Sequence, residues 1–176
     1  MGHPGAVLVM NDRADLAVLA GFGGVHVGQG DLSPEDAKRV ICGVASQRGA
    51  NPTHAMKPHE WGTQSGGSVG AGIVGVSTHT EEQVRAAELS CADYVAIGPV
   101  FATGTKADAD SVVGLEGVRR ARALTTKPLV AIGGITRANA RSVVEAGADS
   151  VAVISGLFGA GESVEKVARD FLEILR

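Results

Sequence analysis

The segment Gly98-Pro99-Val100-Phe101-Ala102-Thr103-Gly104-Thr105-Lys106 carries the residue types of an anion cradle. Glycine lets the backbone approach an anion closely, threonine hydroxyls and N–H groups donate to its oxygens, and lysine adds a cation at neutral pH. Alone, such a loop is also an ordinary surface turn. Its company gives it weight. Asn11-Asp12-Arg13, Gly28-Gln29-Gly30-Asp31, Ser77-Thr78-His79, Gly133-Gly134-Ile135 and Ser155-Gly156 each follow a short apolar run, so six loops of polar or flexible residues recur at equivalent points of a repeating pattern.

That pattern is what must position them. Apolar runs predict strands over Ala6 to Met10, Gly24 to Val27, Ile73 to Val76, Tyr94 to Ile97, Leu129 to Ile132 and Ser150 to Ile154. Amphipathic stretches predict helices over Asp15 to Ala20, Ser33 to Val44, Thr80 to Ser90, Leu115 to Leu124, Thr136 to Ala146 and Ser163 to Leu175. Near-continuous apolar strands alternating with amphipathic helices argue for a parallel sheet covered by helices. Ser33-Pro34-Glu35-Asp36 and Thr80-Glu81-Glu82 are helix openings, with a capping hydroxyl and first-turn acids. Gly21 and Gly147 close helices. In a (βα)8 barrel, residues at the carboxyl ends of the strands face one mouth, where active sites of that fold collect.

The chain is 44% hydrophobic but only 3% aromatic, so its core is built from Val, Ala, Leu and Ile. A net charge of -3 gives no reason to expect a nucleic acid or an anionic membrane as partner. No apolar run reaches the length of a membrane span and no signal peptide pattern opens the sequence, so a cytoplasmic product is expected. Cys42 and Cys91 have no metal-ligand spacing, and two buried, reduced thiols are expected.

Two features depart from a complete barrel. At 176 residues the chain is short for eight βα units, which usually need about 200 or more. The stretch 46–72 lacks periodicity and is rich in turn formers, and is expected to be a flexible insertion in an otherwise single domain spanning 1–176. The expected fold is therefore α/β, an incomplete TIM-type barrel of about six βα units.

From about Val7 onward, apart from that insertion, the chain resembles thiamine phosphate synthase. The matching phrases are Asn11-Asp12-Arg13-Ala14-Asp15-Leu16-Ala17, Gly24-Val25-His26-Val27-Gly28-Gln29-Gly30-Asp31-Leu32, Gly75-Val76-Ser77-Thr78-His79-Thr80, the Gly98 to Lys106 loop, Gly114-Leu115-Glu116-Gly117, Ala131-Ile132-Gly133-Gly134-Ile135 and Val153-Ile154-Ser155. The resemblance implies a barrel enzyme of thiamine biosynthesis that joins hydroxymethylpyrimidine diphosphate to thiazole phosphate and releases pyrophosphate. It implies that Asp12 and Asp31 bind Mg2+, that Asn11, Ser77 and Lys106 contact the pyrimidine diphosphate, and that Thr103, Gly104, Thr105, Gly134, Ile154 and Ser155 hold the thiazole phosphate. Lys106 and Ser77 are the catalytic candidates. The residue types agree: Mg2+ takes one or two carboxylates and completes its shell with water and phosphate oxygens. No motif presents a Ser/His/Asp set or a nucleophilic cysteine, so covalent catalysis is not indicated. The expected partners are small molecules and, given unpaired barrel edges, a second copy of the chain.

Structural roles are open to each residue singly. Asp12 can cap the following helix, Asp31 can be a loop acid, Ser77 a small strand-end residue, His26 a wall residue and His79 a helix-start residue. His54 and His59 have no partners at ligand spacing. Two other functions fit parts of the pattern. A thiazole tautomerase of the related TenI-like family typically has histidine where this chain has Pro99. A non-catalytic phosphate-binding homologue is suggested by the two βα units, one bearing a Gln-Leu-Arg-Glu-Lys phrase, that precede the Asn-Asp-Arg strand in the family and have no counterpart in Met1 to Ala6.

Overall fold

The computed structural model describes residues 6–47, 72–104, 111–158 and 161–175. Strands β1 (Val9–Asn11), β2 (Gly24–Val27), β3 (Ile73–Thr78), β4 (Tyr94–Ile97), β5 (Leu129–Ile132) and β6 (Ser150–Ala152) alternate with helices α1 (Ala14–Ala20), α2 (Pro34–Gln47), α3 (Glu81–Leu89), α4 (Gly114–Leu124), α5 (Ala140–Glu145) and α6 (Val164–Ile174). Sheet order follows chain order, β1-β2-β3-β4-β5-β6, and the β1–β2, β4–β5 and β5–β6 pairs are parallel. This is the α/β repeat of a TIM-type barrel, present as six strands among the described residues.

The chain divides into two compact units, 1–75 and 76–176, with the boundary inside β3. In the first unit Val9 faces Gly24 and Asn11 faces His26 across the parallel ladder. Gly24 lies so close to the start of β3 that a Cβ there would sit 2.5 Å from the Ile73 carbonyl oxygen. Ala14, Ala17, Val25, Val27, Ala37 and Ile41 are buried. Small residues dominate this core because parallel strands and their covering helices approach closely.

In the second unit the buried side chains include Val84 of α3, Val95 and Ile97 of β4, Val118 of α4, Leu129 of β5, Val143 of α5 and Phe171 of α6. Thr78 is the buried hydroxyl of β3, and it donates to the Ala96 carbonyl at 2.8 Å, so its polar atom costs little to bury. A capping box opens α3: Thr80 accepts from the Gln83 N–H while the Gln83 side chain reaches back to the Thr80 N–H.

Several expected boundaries move. The first strand runs through Asn11 rather than ending at Met10, because the ladder to β2 continues to the Asn11–His26 pair. The second helix continues through Gln47, which moves Ser46 and Gln47 out of the expected insertion; residues 48–71 lie outside the described residues. The helix expected from Thr136 begins at Ala140. Asn139 explains this, since its side chain accepts from the Thr136 N–H at 2.7 Å and donates to the Gly134 carbonyl at 3.1 Å, holding a turn before the helix. The last strand stops at Ala152, and Ser155–Leu157 form a single 3-10 turn. Neither cysteine is in a disulfide, but the expectation of two buried thiols fails: Cys42 is half-buried and Cys91, in the turn after α3, is exposed. Among the described residues no helix is long and apolar enough to cross a membrane.

Candidate functional site

The candidate residues fall in both units. In the first, Asn11 closes β1 and Asp12 follows it with φ of 62°. Among the described residues Asp12 alone, other than glycine, has positive φ. Aspartate tolerates this left-handed backbone better than most residues, yet the conformation still costs about 1 kcal/mol. Two bonds hold it there. The Asp12 N–H donates to the His26 carbonyl at 2.8 Å, and the next N–H, of Arg13, donates to the Asn11 carbonyl at 2.7 Å. Arg13 itself turns along α1 to Asp15 at 2.8 Å, and that guanidinium holds the Asp15 carboxyl down to about 2.

Asp31 sits in the loop after β2, where its Oδ2 accepts the Gly28 N–H at 2.8 Å. The Asp31 N–H returns to the Gly28 carbonyl at 3.3 Å. This tight turn is the structural role open to a loop acid, and it also orients the carboxylate. A carboxylate has about four acceptor positions, so one bond to a backbone amide does not saturate it. The donor set fits Mg2+: both groups are hard oxygen ligands at the carboxyl ends of adjacent parallel strands. Among the described residues no three His, Cys, Asp or Glu side chains gather in metal-ligating fashion. A dication there depends on phosphate and water oxygens beside the two aspartates.

In the second unit three loops close on one another at the carboxyl ends of β4, β5 and β6. The Val100 N–H donates to the Ile132 carbonyl at 2.9 Å and the Phe101 N–H to the Gly133 carbonyl at 3.0 Å, zipping the loop after β4 onto the end of β5. Gly133 and Gly134 have φ of 99° and 63°. A Cβ on Gly134 would lie 2.6 Å from the Ala102 carbonyl oxygen and 2.8 Å from the Phe101 Cβ, so both conformation and space demand glycine. On the other side, a Cβ on Gly156 would lie 2.7 Å from the Ile135 carbonyl oxygen. Thr103 is half-buried and Gly104 exposed beside this junction, while Ile154 and Ser155 are exposed at the opening of the 3-10 turn. Thr103, Gly104, Gly134, Ile154 and Ser155 therefore share one rim of the second unit. Thr105 and Lys106 lie outside the described residues.

Ser77, half-buried near the end of β3, belongs to the same unit. Strand alternation places it on the face opposite buried Thr78. Two residues outside the expected substrate-binding set hold the rim's geometry. Asn139 fixes the Gly134 carbonyl, as described, and His79 bonds the Gly98 carbonyl through Nδ1 at 2.6 Å. An asparagine five residues after a glycine pair is a local signal for the first. The second joins residues nineteen apart and has none.

Residues 2–60 and 66–157 match the model of the thiamine monophosphate synthase family. The chain is 48% identical to the thiamine-phosphate synthase of Koribacter versatilis over 98% of this chain and 67% of the relative. It is 39% identical to that of Moorella thermoacetica, over 97% and 68%. Among solved structures it is similar to the thiamine phosphate pyrophosphorylase of Pyrococcus furiosus, with TM-score 0.74 and 33% identity over 97% of this chain and 67% of that one. The chain thus spans about two thirds of the length of each. These relatives support an enzyme of thiamine biosynthesis with thiamine phosphate synthase function. On the family match across most of its length, the chain belongs to the thiamine monophosphate synthase family.

Proposed function

We propose that the chain joins hydroxymethylpyrimidine diphosphate to thiazole phosphate, giving thiamine phosphate and pyrophosphate. The C–O bond between the pyrimidine methylene and the diphosphate breaks with its electron pair leaving on pyrophosphate, and the thiazole nitrogen lone pair forms the new C–N bond. The observation that carries this reading is the junction of the three loops after β4, β5 and β6, in a chain whose family relatives are thiamine-phosphate synthases.

The roles are those the family resemblance implies, and the chemistry of each residue type supports them. Thr103 and Gly104, Gly134, and Ile154 with Ser155 form the seat for the thiazole phosphate, where backbone N–H groups and a threonine hydroxyl serve as neutral donors to a dianion. The family resemblance assigns the pyrimidine diphosphate to Asn11 and Ser77. Asp12 and Asp31 hold Mg2+. When bound, that ion neutralises charge on the diphosphate leaving group. Lys106 supplies a further positive charge to the same group, an inference from sequence because its position lies outside the described residues. No covalent intermediate is needed: the chain's contribution is positioning of two substrates and electrostatic stabilisation of the departing group.

The test is thiamine phosphate formation by the purified chain with both substrates and Mg2+. Product that disappears on chelation of the metal supports the reading. Binding of thiazole phosphate without any product overturns it in favour of a non-catalytic phosphate-binding homologue.

A further inference from the structure

We propose that His79 is a positioning residue for the thiazole-phosphate loop, setting the place of the Gly98 backbone from which that loop departs. This rests on the functional reading above and assigns a determinant of substrate affinity within it.

The argument starts from the end of β3. Side chains alternate along a strand, so Ser77 and Thr78 lie on opposite faces of β3, and Thr78 points into the core, where it is 1% exposed and donates to the Ala96 carbonyl; His79 follows directly. The backbone at this point is fixed from the following helix. The Gln83 side-chain oxygen accepts the His79 N–H at 2.6 Å and the Thr80 N–H at 3.2 Å, and the Gln83 N–H donates back to the Thr80 hydroxyl at 3.3 Å. The α3 capping box therefore extends one residue upstream and fixes the backbone from which the imidazole projects.

The imidazole then reaches across to the next strand. Its Nδ1 lies 2.6 Å from the Gly98 carbonyl oxygen. A carbonyl only accepts, so Nδ1 carries the proton. Gly98 is also held through its N–H, which donates to the Thr78 carbonyl at 3.2 Å. One peptide unit further, the Pro99 carbonyl accepts from the Val113 N–H at 2.8 Å, and then the Val100 and Phe101 amides zip onto β5. The imidazole is thus a side-chain anchor at the root of a segment that these backbone bonds also hold. Two residues beyond Phe101 and its zipper come Thr103 and Gly104, at the thiazole-phosphate seat. A small rotation at Gly98 is transmitted along the segment to those donors, and phosphate donors lose much of their worth when displaced by about 1 Å.

The alternative is that His79 only stabilises the fold. The two are separable. The experiment is calorimetric titration of thiazole phosphate into the wild type, His79→Ala and His79→Asn, with a thermal melt of each. Asparagine places an N–H donor near the Nδ1 position, so it restores the bond without the ring. The expected result is that His79→Ala weakens thiazole-phosphate affinity about tenfold, that His79→Asn recovers it to within about threefold, and that titration of Mg2+-pyrophosphate gives the same affinity in all three. Unchanged thiazole-phosphate affinity in a folded His79→Ala protein overturns the inference. So does an equal loss for both ligands, or a loss in His79→Asn as large as in His79→Ala, since either marks a purely structural role. Absence of thiazole-phosphate binding by the wild type overturns the functional reading itself, a distinct result from an unaffected variant.

Discussion

The second unit has two rims built by different physics. At the carboxyl ends of β4 to β6, loops are joined by backbone hydrogen bonds and by glycines whose missing Cβ lets one main chain touch another. At the amino ends, charged side chains do the joining. Arg122 bonds Asp149 at 2.8 Å, the Lys127 carbonyl at 3.1 Å and the Thr125 carbonyl, and Asp149 in turn accepts the Leu129 N–H at 2.8 Å. Lys127 reaches back to the Ala87 and Ser90 carbonyls at the end of α3, at 2.9 and 2.6 Å. The Thr125 and Thr126 hydroxyls hold the Glu88 carboxyl down to about 2. The contrast is physical. The amino rim is held by charged side chains, a stabilising role, whereas on the carboxyl rim Asn139 and His79 fix the backbone of the loops. The carboxyl rim is the end where this barrel type places its ligands.

Variants separate binding from stability, and the largest expected effect is at Lys106, the catalytic candidate outside the described residues. Lys106→Ala lowers turnover by about 100-fold or more with no change in melting temperature; steady-state kinetics and calorimetry check both. Gly134→Ala comes next. A side chain there must avoid the Ala102 carbonyl at 2.6 Å and accept φ of 63°, so stability falls by about 1–3 kcal/mol and thiazole-phosphate affinity falls with it, measured by urea denaturation and titration. Arg122→Ala on the amino rim reverses the pattern. It removes donors from two carbonyls and an aspartate, costing about 1–2 kcal/mol of stability, while the dissociation constant for thiazole phosphate stays at the wild-type value.

The smallest effect is confined to acid. Arg137 bonds Glu162 and Asp170, and Lys166 bonds the same two acids at 2.8 and 3.0 Å, tying the turn before α5 to the region of α6. Arg137 first, then Lys166, pulls Glu162 down to about 2 from 4.5. A depressed carboxyl stabilises the fold above its unfolded pKa and loses that contribution as pH falls through its folded value. The network's contribution is therefore complete at neutral pH and declines between pH 4.5 and about 2. Exposure to solvent and salt keeps it small. Arg137→Gln should flatten the acid limb of a stability–pH curve while leaving thiazole-phosphate binding at neutral pH unaltered.

Much of this architecture was legible in local sequence. Apolar runs of four or five residues ending in polar loops located the six strands among the described residues, because parallel strands covered by helices read as near-continuous apolar runs. The Gly133-Gly134 pair is visible in the sequence, and in the structure both residues take positive φ. Features set by a single side chain's competition with the backbone were harder to read. Asn139 delays α5 by satisfying Thr136 and Gly134 itself. Asp31 folds onto Gly28, so a residue marked by chemistry also has a turn to build. The His79–Gly98 bond spans two strands and leaves no periodic trace. Long-range contacts of this kind depend on the assembled fold, whereas strands and caps are written within a few residues.

The most direct measurement of the central claim is a titration of the isotope-labelled chain with thiazole phosphate, followed by backbone amide resonances. The account predicts that shifts concentrate at Thr103, Gly104, Gly134, Ile154 and Ser155, with the amino-rim residues Thr126, Lys127 and Asp149 unmoved. Shifts centred on the amino rim, or none at the three carboxyl-end loops at saturating ligand, would contradict it.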